Sequence, residues 1–105
     1  MNKSLISNAF ETFMNEAPEY SKAWMEVVQK LDKVSALDKK TQTLAYISVL
    51  AATRLESGIP FHVKQAKANG ASREEIISAI LVGLPAVGNI VTSSLPVALQ
   101  AYDNE

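Results

Sequence analysis

Apolar side chains recur along this chain at every third or fourth position and nowhere alternate for long with polar ones, so the pattern predicts helices throughout and no sheet. Leu5, Ile6, Ala9, Phe10, Phe13 and Met14 form one stripe. Pro18 then opens a second helix whose inner face should carry Tyr20, Ala23, Trp24, Val27, Val28 and Leu31, the two helices acting as a cover. Asp38 is placed to cap a third helix. Its stretch from Leu44 to Ala52 is uncharged and apolar nearly all round, the pattern of a central helix running through a core.

Glycine, proline and capping residues set the remaining boundaries. Ser57 can cap a fourth helix, with Pro60 tolerated in its first turn, where amides lack intrahelical acceptors, and with Gly70 ending it in a left-handed conformation. Ser72 and Glu75 make a capping box, each side chain serving the other residue's backbone amide, so a fifth helix begins there. Gly83, Pro85 and Gly88 interrupt the chain beyond that helix. A last helix is expected from about Asn89 to Tyr102, bent near Pro96, whose ring removes a backbone donor. The chain reads as a single all-α domain over residues 1–105, of about six helices, without repeats or linkers.

A length of 105 residues suffices for one small core. Apolar residues at 48% and charged ones at 20% are a globular balance, and a net charge of -1 supplies no field for a polyanion, so nucleic acid is not an expected partner. The N-terminus lacks a long apolar core ending in small residues, which makes the cytoplasm the expected compartment. From Ile76 to Tyr102 no residue is charged. Gly83, Pro85, Gly88, Asn89 and Pro96 break this run too often for a spanning helix, which needs about 20 mainly apolar residues. No membrane is therefore expected, and a second copy of the chain is the expected cover.

The chain has no cysteine, which removes disulfides, thiolate metal ligands and thiol redox chemistry carried by its own side chains. Its one histidine, His62, shares a helix face with Ile59, Val63 and Ala66, while Lys64 and Lys67 point the other way. Two roles are open to it: a core imidazole donating to a backbone carbonyl, or a general acid or base titrating near neutral pH. A metal site would need carboxylates alone to complete it, and neither metal nor cofactor is expected. Glu56 could orient the imidazole or simply favour the positive end of its helix. Arg54 and the amides beginning at Ser57 and Gly58 could hold a substrate carboxylate, although Arg54 is as well placed to cap the third helix. Trp24 and Tyr46 read as core or interface filling.

Taken in order, Leu37-Asp-Lys-Lys-Thr-Gln-Thr-Leu44, the apolar third helix, His62, and Asn69-Gly-Ala-Ser-Arg-Glu-Glu-Ile76 ahead of a long apolar helix resemble the carboxymuconolactone decarboxylase-like family, which includes the alkylhydroperoxidase D enzymes. The resemblance covers roughly residues 17 to 102. It implies an alkylhydroperoxidase D-like helical fold, assembled as homotrimers or as hexamers built from trimers, with pockets near subunit contacts. The redox branch of that family carries a C-x-x-C pair ahead of the histidine and an upstream glutamate. Here the matching positions hold Leu55, Gly58 and Thr43, so thiol peroxidase activity is not expected.

The decarboxylase branch lacks the cysteine pair and keeps a histidine at the position of His62. It implies a cofactor-free lyase acting on a small carboxylated or lactone substrate, with His62 as general acid, Glu56 setting its orientation, and Arg54, Ser57 and Gly58 holding carboxylate. After the fifth helix this chain departs from that branch, because Gly88-Asn-Ile90 lacks a proline two residues beyond the glycine, and the resemblance does not fix the substrate. The alternative is a non-catalytic oligomeric protein that binds a small ligand or serves as a scaffold, keeping the fold without the chemistry.

Overall fold

The structure is a computed structural model and describes residues 5–104. In chain order the elements are α1 (Asn8–Glu16), α2 (Pro18–Val34), α3 (Lys39–Ala52), a 3-10 turn (Glu56–Gly58), α4 (Ile59–Ala68), α5 (Arg73–Leu81), α6 (Leu84–Val87), a 3-10 segment (Gly88–Ser94) and α7 (Leu95–Asp103). The architecture is all-α, with no strand among the described residues. The chain groups into two compact units, Met1–Asp38 and Lys39–Glu105.

In the first unit Ser7 caps α1 by accepting from the Phe10 amide at 3.2 Å, and Pro18 opens α2 where no intrahelical donor is required. The Phe10 and Phe13 rings meet edge to face at 5.8 Å. Phe13, Tyr20, Ala23, Trp24 and Val27 line a shallow apolar hollow. The face of α2 that the pattern turns inward is nevertheless open: Tyr20 is 76% exposed, Leu31 60% and Trp24 53%. The buried residue of α2 is Ser21, whose hydroxyl donates to the Pro18 carbonyl at 3.0 Å. The expected cover is thus an apolar ridge facing solvent in the single chain. The reason is a shortage of partners, since a two-helix unit offers α2 one neighbour and its apolar face is wider than that neighbour can bury.

In the second unit α3 packs on α4, α5 and the 3-10 segment, while α4 and α5 pack on α7. Ile47 and Ala51 of α3, Ile59 and Val63 of α4, and Ile76 and Ile80 of α5 meet in one core that Val91 and Ala98 complete. The uncharged run of α3 crosses this core as its pattern predicts. One side of the helix stays uncovered, however, with Tyr46 and Val49 exposed.

Helices α3 and α4 stop in the same way. At the end of α4 the Ala71 amide donates to the Ala66 carbonyl at 2.9 Å and the Gly70 amide to Lys67 at 3.0 Å, with Gly70 left-handed at φ 96°, which is a Schellman motif. At the end of α3 the Leu55 amide donates to Leu50 at 2.9 Å and the Arg54 amide to Ala51 at 3.3 Å. There the left-handed position, at φ 63°, is filled by Arg54 instead of glycine. The capping box of α5 forms as predicted, the Glu75 amide donating to Ser72 Oγ at 3.1 Å and the Ser72 amide to Glu75 Oε1 at 2.9 Å.

Two boundaries differ from expectation. Ser57 does not cap α4; it lies within the 3-10 turn, and the cap position falls on Gly58, which has no side chain to offer. The last helix begins at Leu95 and not at Asn89, because residues 88–94 wind as a 3-10 segment. Pro96 consequently occupies the first turn of α7, where its missing amide costs nothing, and does not bend the middle of a longer helix. By length and composition the helical run Arg73–Asp103 is apolar enough to cross a membrane, but it is divided into α5, α6, the 3-10 segment and α7.

The far end of α7 is strapped down. Tyr102 Oη donates to the Ala71 carbonyl at 2.8 Å, and Arg73 grips Asp103 through two bonds of 2.9 and 3.0 Å. From α4, Lys67 donates to the Tyr102 carbonyl at 2.7 Å and Lys64 to that of Asn104.

Candidate active site

Helix α4 sends Ile59, Val63 and Ala66 fully into the core, and His62 sits at the margin of that face, half-buried. Helix α3 supplies its neighbour. The Tyr46 ring lies 4.5 Å from the imidazole between centroids, with the planes at 55°, and Phe61 meets the imidazole edge-on at 5.2 Å and 90°. Burial lowers the His62 pKa below its ordinary 6.5, and a hydrogen bond with the Gln65 side chain partly opposes that shift. The neutral imidazole therefore dominates at pH 7, and the imidazolium, when formed, is a stronger acid than free histidine. Gln65 stands one turn along α4 from the imidazole.

Two surface hollows are lined by other residues. One is the hollow of the first unit; the second lies between α3 and α5, where Lys40 pairs with Glu75 at 3.0 Å and Ser48 Oγ donates to the Ala79 carbonyl at 2.6 Å. His62 lines neither.

Glu56, Ser57 and Gly58 form the 3-10 turn that leads into α4. The Glu56 carboxylate accepts from Ser93 Oγ at 2.5 Å, which ties the turn to the 3-10 segment, so its partner is Ser93 and not the imidazole. Amides that could have awaited an anion are used inside the turn: Gly58 donates to the Leu55 carbonyl at 3.1 Å, and Ile59 donates to that of Glu56. Arg54 stops α3 through its backbone, and its side chain is exposed. A Cβ added at Gly58 would meet Leu50 Cδ1 and Cδ2 at 3.5 and 3.6 Å, ordinary contact distances, so packing does not demand glycine there. Among the described residues no group of three or more histidine or carboxylate side chains could hold a metal ion.

The structure thus brings His62 together with Tyr46, Phe61 and Gln65, and places Glu56 with Ser93. Sequence reasoning treats Tyr46 as filling. The signal that could have found it is its place one residue before the fully buried Ile47, at the flank of the buried face of α3. Gln65 is legible as the residue one turn after His62 on the same helix.

The family model that matches the chain is that of the carboxymuconolactone decarboxylase family, over residues 18–100. The chain belongs to this family. Among solved structures it is similar to apo-lpg0406, a carboxymuconolactone decarboxylase family protein from Legionella pneumophila, with a TM-score of 0.76 and 26% identity, covering 90% of this chain and 85% of that one. No curated protein matches it. As a carboxymuconolactone decarboxylase family member without cysteine, it offers no thiolate near His62; Leu55 stands just ahead of the turn and Gly58 ends it.

Proposed function

We propose that this protein is a cofactor-free lyase acting on a small carboxylated or lactone substrate, with His62 as its general acid and base. The observation that carries the proposal is the setting of the sole histidine. It is half-buried on a packed helix, flanked by two aromatic rings, with its pKa lowered by burial. In the decarboxylation of an unsaturated lactone carboxylate, the bond between carbon and the carboxylate breaks and carbon dioxide leaves. The electron pair spreads into the conjugated lactone as a dienolate, which must be protonated at carbon. The imidazolium gives that proton, more readily for its lowered pKa, and is reprotonated from water. Arg54, exposed just ahead of the turn, is the proposed holder of a second carboxylate, with Ser57 beside it.

The enzyme is proposed to act in the cytoplasm as a homotrimer or as a hexamer built from trimers. Supporting this are the apolar side chains left open in the single chain: Tyr20, Trp24 and Leu31 on α2, Val49 on α3, and Val82 and Val87 in the uncharged segment. A subunit contact over the rim formed by Tyr46 and His62 would exclude water from the imidazole and strengthen its interaction with substrate.

His62→Asn is expected to leave the fold and the assembly intact and to abolish turnover of butenolide carboxylates, carboxymuconolactone first among them. An unchanged rate refutes the lyase, and a wild-type chain that binds these compounds without converting them is a ligand-binding protein instead. Light scattering that finds a stable monomer at micromolar concentration refutes the assembly.

A further inference from the structure

We propose that Tyr46 is a second catalytic residue of the His62 site, its phenol donating a hydrogen bond to the lactone carbonyl oxygen on which negative charge collects while His62 protonates carbon. This rests on the lyase proposed above and adds to it the group that stabilises the anion.

The geometry supports a division of labour. With ring centroids 4.5 Å apart and the planes at 55°, the imidazole and the phenol are in contact, which sets the two polar side chains side by side. Both side chains stand on helices that pack against each other, α3 and α4, so their relative position is set by a core that includes Ile47 and Val63. The hydroxyl of Tyr102, the other tyrosine of this unit, is committed to the Ala71 carbonyl, whereas no described hydrogen bond commits that of Tyr46. Tyr46 is also 48% exposed, so its hydroxyl can be reached from outside the core.

Cations that could have taken the role are engaged elsewhere. Lys64 and Lys67 donate to carbonyls at the end of α7, and Lys40 pairs with Glu75 across α3 and α5. A phenol O–H donates without adding charge beside the imidazolium. In the step itself the carbon–carboxylate bond breaks, carbon dioxide departs, and the electron pair moves through the ring to the carbonyl oxygen, against which Tyr46 Oη–H points. As the pair returns to form the new carbon–hydrogen bond, the proton comes from His62 and the phenol keeps its own. Donors of this kind, aimed at developing charge, are worth about 10²–10³ in rate.

Three variants test this. Tyr46→Phe keeps the ring and removes the donor; kcat for carboxymuconolactone, or for whichever butenolide carboxylate the wild type converts, is expected to fall about 10²-fold with KM little changed. The chain has a single histidine, so its imidazole Cε1–H gives one NMR signal. The pH titration of that signal is expected to be the same in Tyr46→Phe as in the wild type. In Tyr46→Ala the same loss of rate should appear with the titration moved up toward 6.5, because the ring that helps bury His62 is gone.

If Tyr46→Phe works at the wild-type rate while His62→Asn is dead, Tyr46 is not a donor and the lyase stands. If His62→Asn keeps its rate, or the wild type converts no butenolide carboxylate, the lyase falls and the role of Tyr46 with it. A loss in Tyr46→Phe accompanied by a displaced titration makes Tyr46 a positioning residue and overturns its role as a donor.

Discussion

Helices α2 and α4 carry apolar stripes of the same kind, and only one of them is buried. Ile59, Val63 and Ala66 of α4 are fully enclosed, whereas Tyr20, Trp24 and Leu31 of α2 stand mostly in solvent. The difference lies in the number of neighbours: α4 is held between α3 and α7, while within its own unit α2 has α1. Periodicity reports which side of a helix is apolar and says nothing of what covers it. Where one unit supplies too few helices, an apolar side is left uncovered, and such a patch is what the proposed assembly would use.

The sharpest way to break this contrast is to truncate one residue from each region. Ile76→Ala should cost about 2–5 kcal/mol of unfolding free energy in urea titrations followed by circular dichroism, because it leaves a cavity in a closed core. Trp24→Ala should change the stability of the folded chain by under about 1 kcal/mol, since little is left unfilled around a side chain already in water. Its effect should appear instead in light scattering, as a smaller assembly. Equal costs for the two variants would erase the distinction between the regions.

A finer comparison is available within the second unit, between the two matching helix ends. Arg54→Gly should raise stability by about 0.5–1 kcal/mol, because the left-handed backbone at φ 63° strains any residue with a Cβ. Gly70→Ala, at φ 96°, should lower it by a similar amount. A neutral Arg54→Gly would mean that the arginine side chain makes good the strain of its backbone.

The smallest expected effect is a pH dependence. Burial keeps the folded-state pKa of His62 below 6.5, so as pH falls the unfolded chain takes up the proton first. Stability therefore declines from pH 6.5 down to that lower pKa and levels off below it, and His62→Asn should flatten this segment of the curve. Glu75 and Asp103 act in a separate, more acid window. The Ser72 amide and then Lys40 lower the first below its ordinary 4.5, and Arg73 lowers the second below 3.8. Their contribution is present at neutral pH and disappears as each is protonated.

Much of the fold is legible in the sequence because its signals are local. Ser72 with Glu75 and the left-handed Gly70 each act within one turn, and the structure places both as the pattern predicts. Ser57 and Pro96 sit a few residues from their expected places in the helices because each is compatible with the start of a helix and with the turn before it, and a 3-10 segment shifts the choice. At the site, His62 stands out as the only histidine. Its contact with Tyr46 depends on how α3 and α4 pack, and the partner of Glu56 lies 37 residues away in the 3-10 segment. Neither leaves a trace in local spacing.

One small vacancy bears on how such a scaffold changes its trade. At Gly58 a side chain could begin without disturbing Leu50, and Leu55 already faces outward at 57% exposure. These are the two places where the redox branch resembled by this sequence carries sulfur. A Cβ at the first would make only ordinary contact with Leu50, and the side chain at the second already lies outside the closed core. The third position that the redox branch uses is Thr43 here, buried on α3, so regaining that set would require one change inside the frame besides these two.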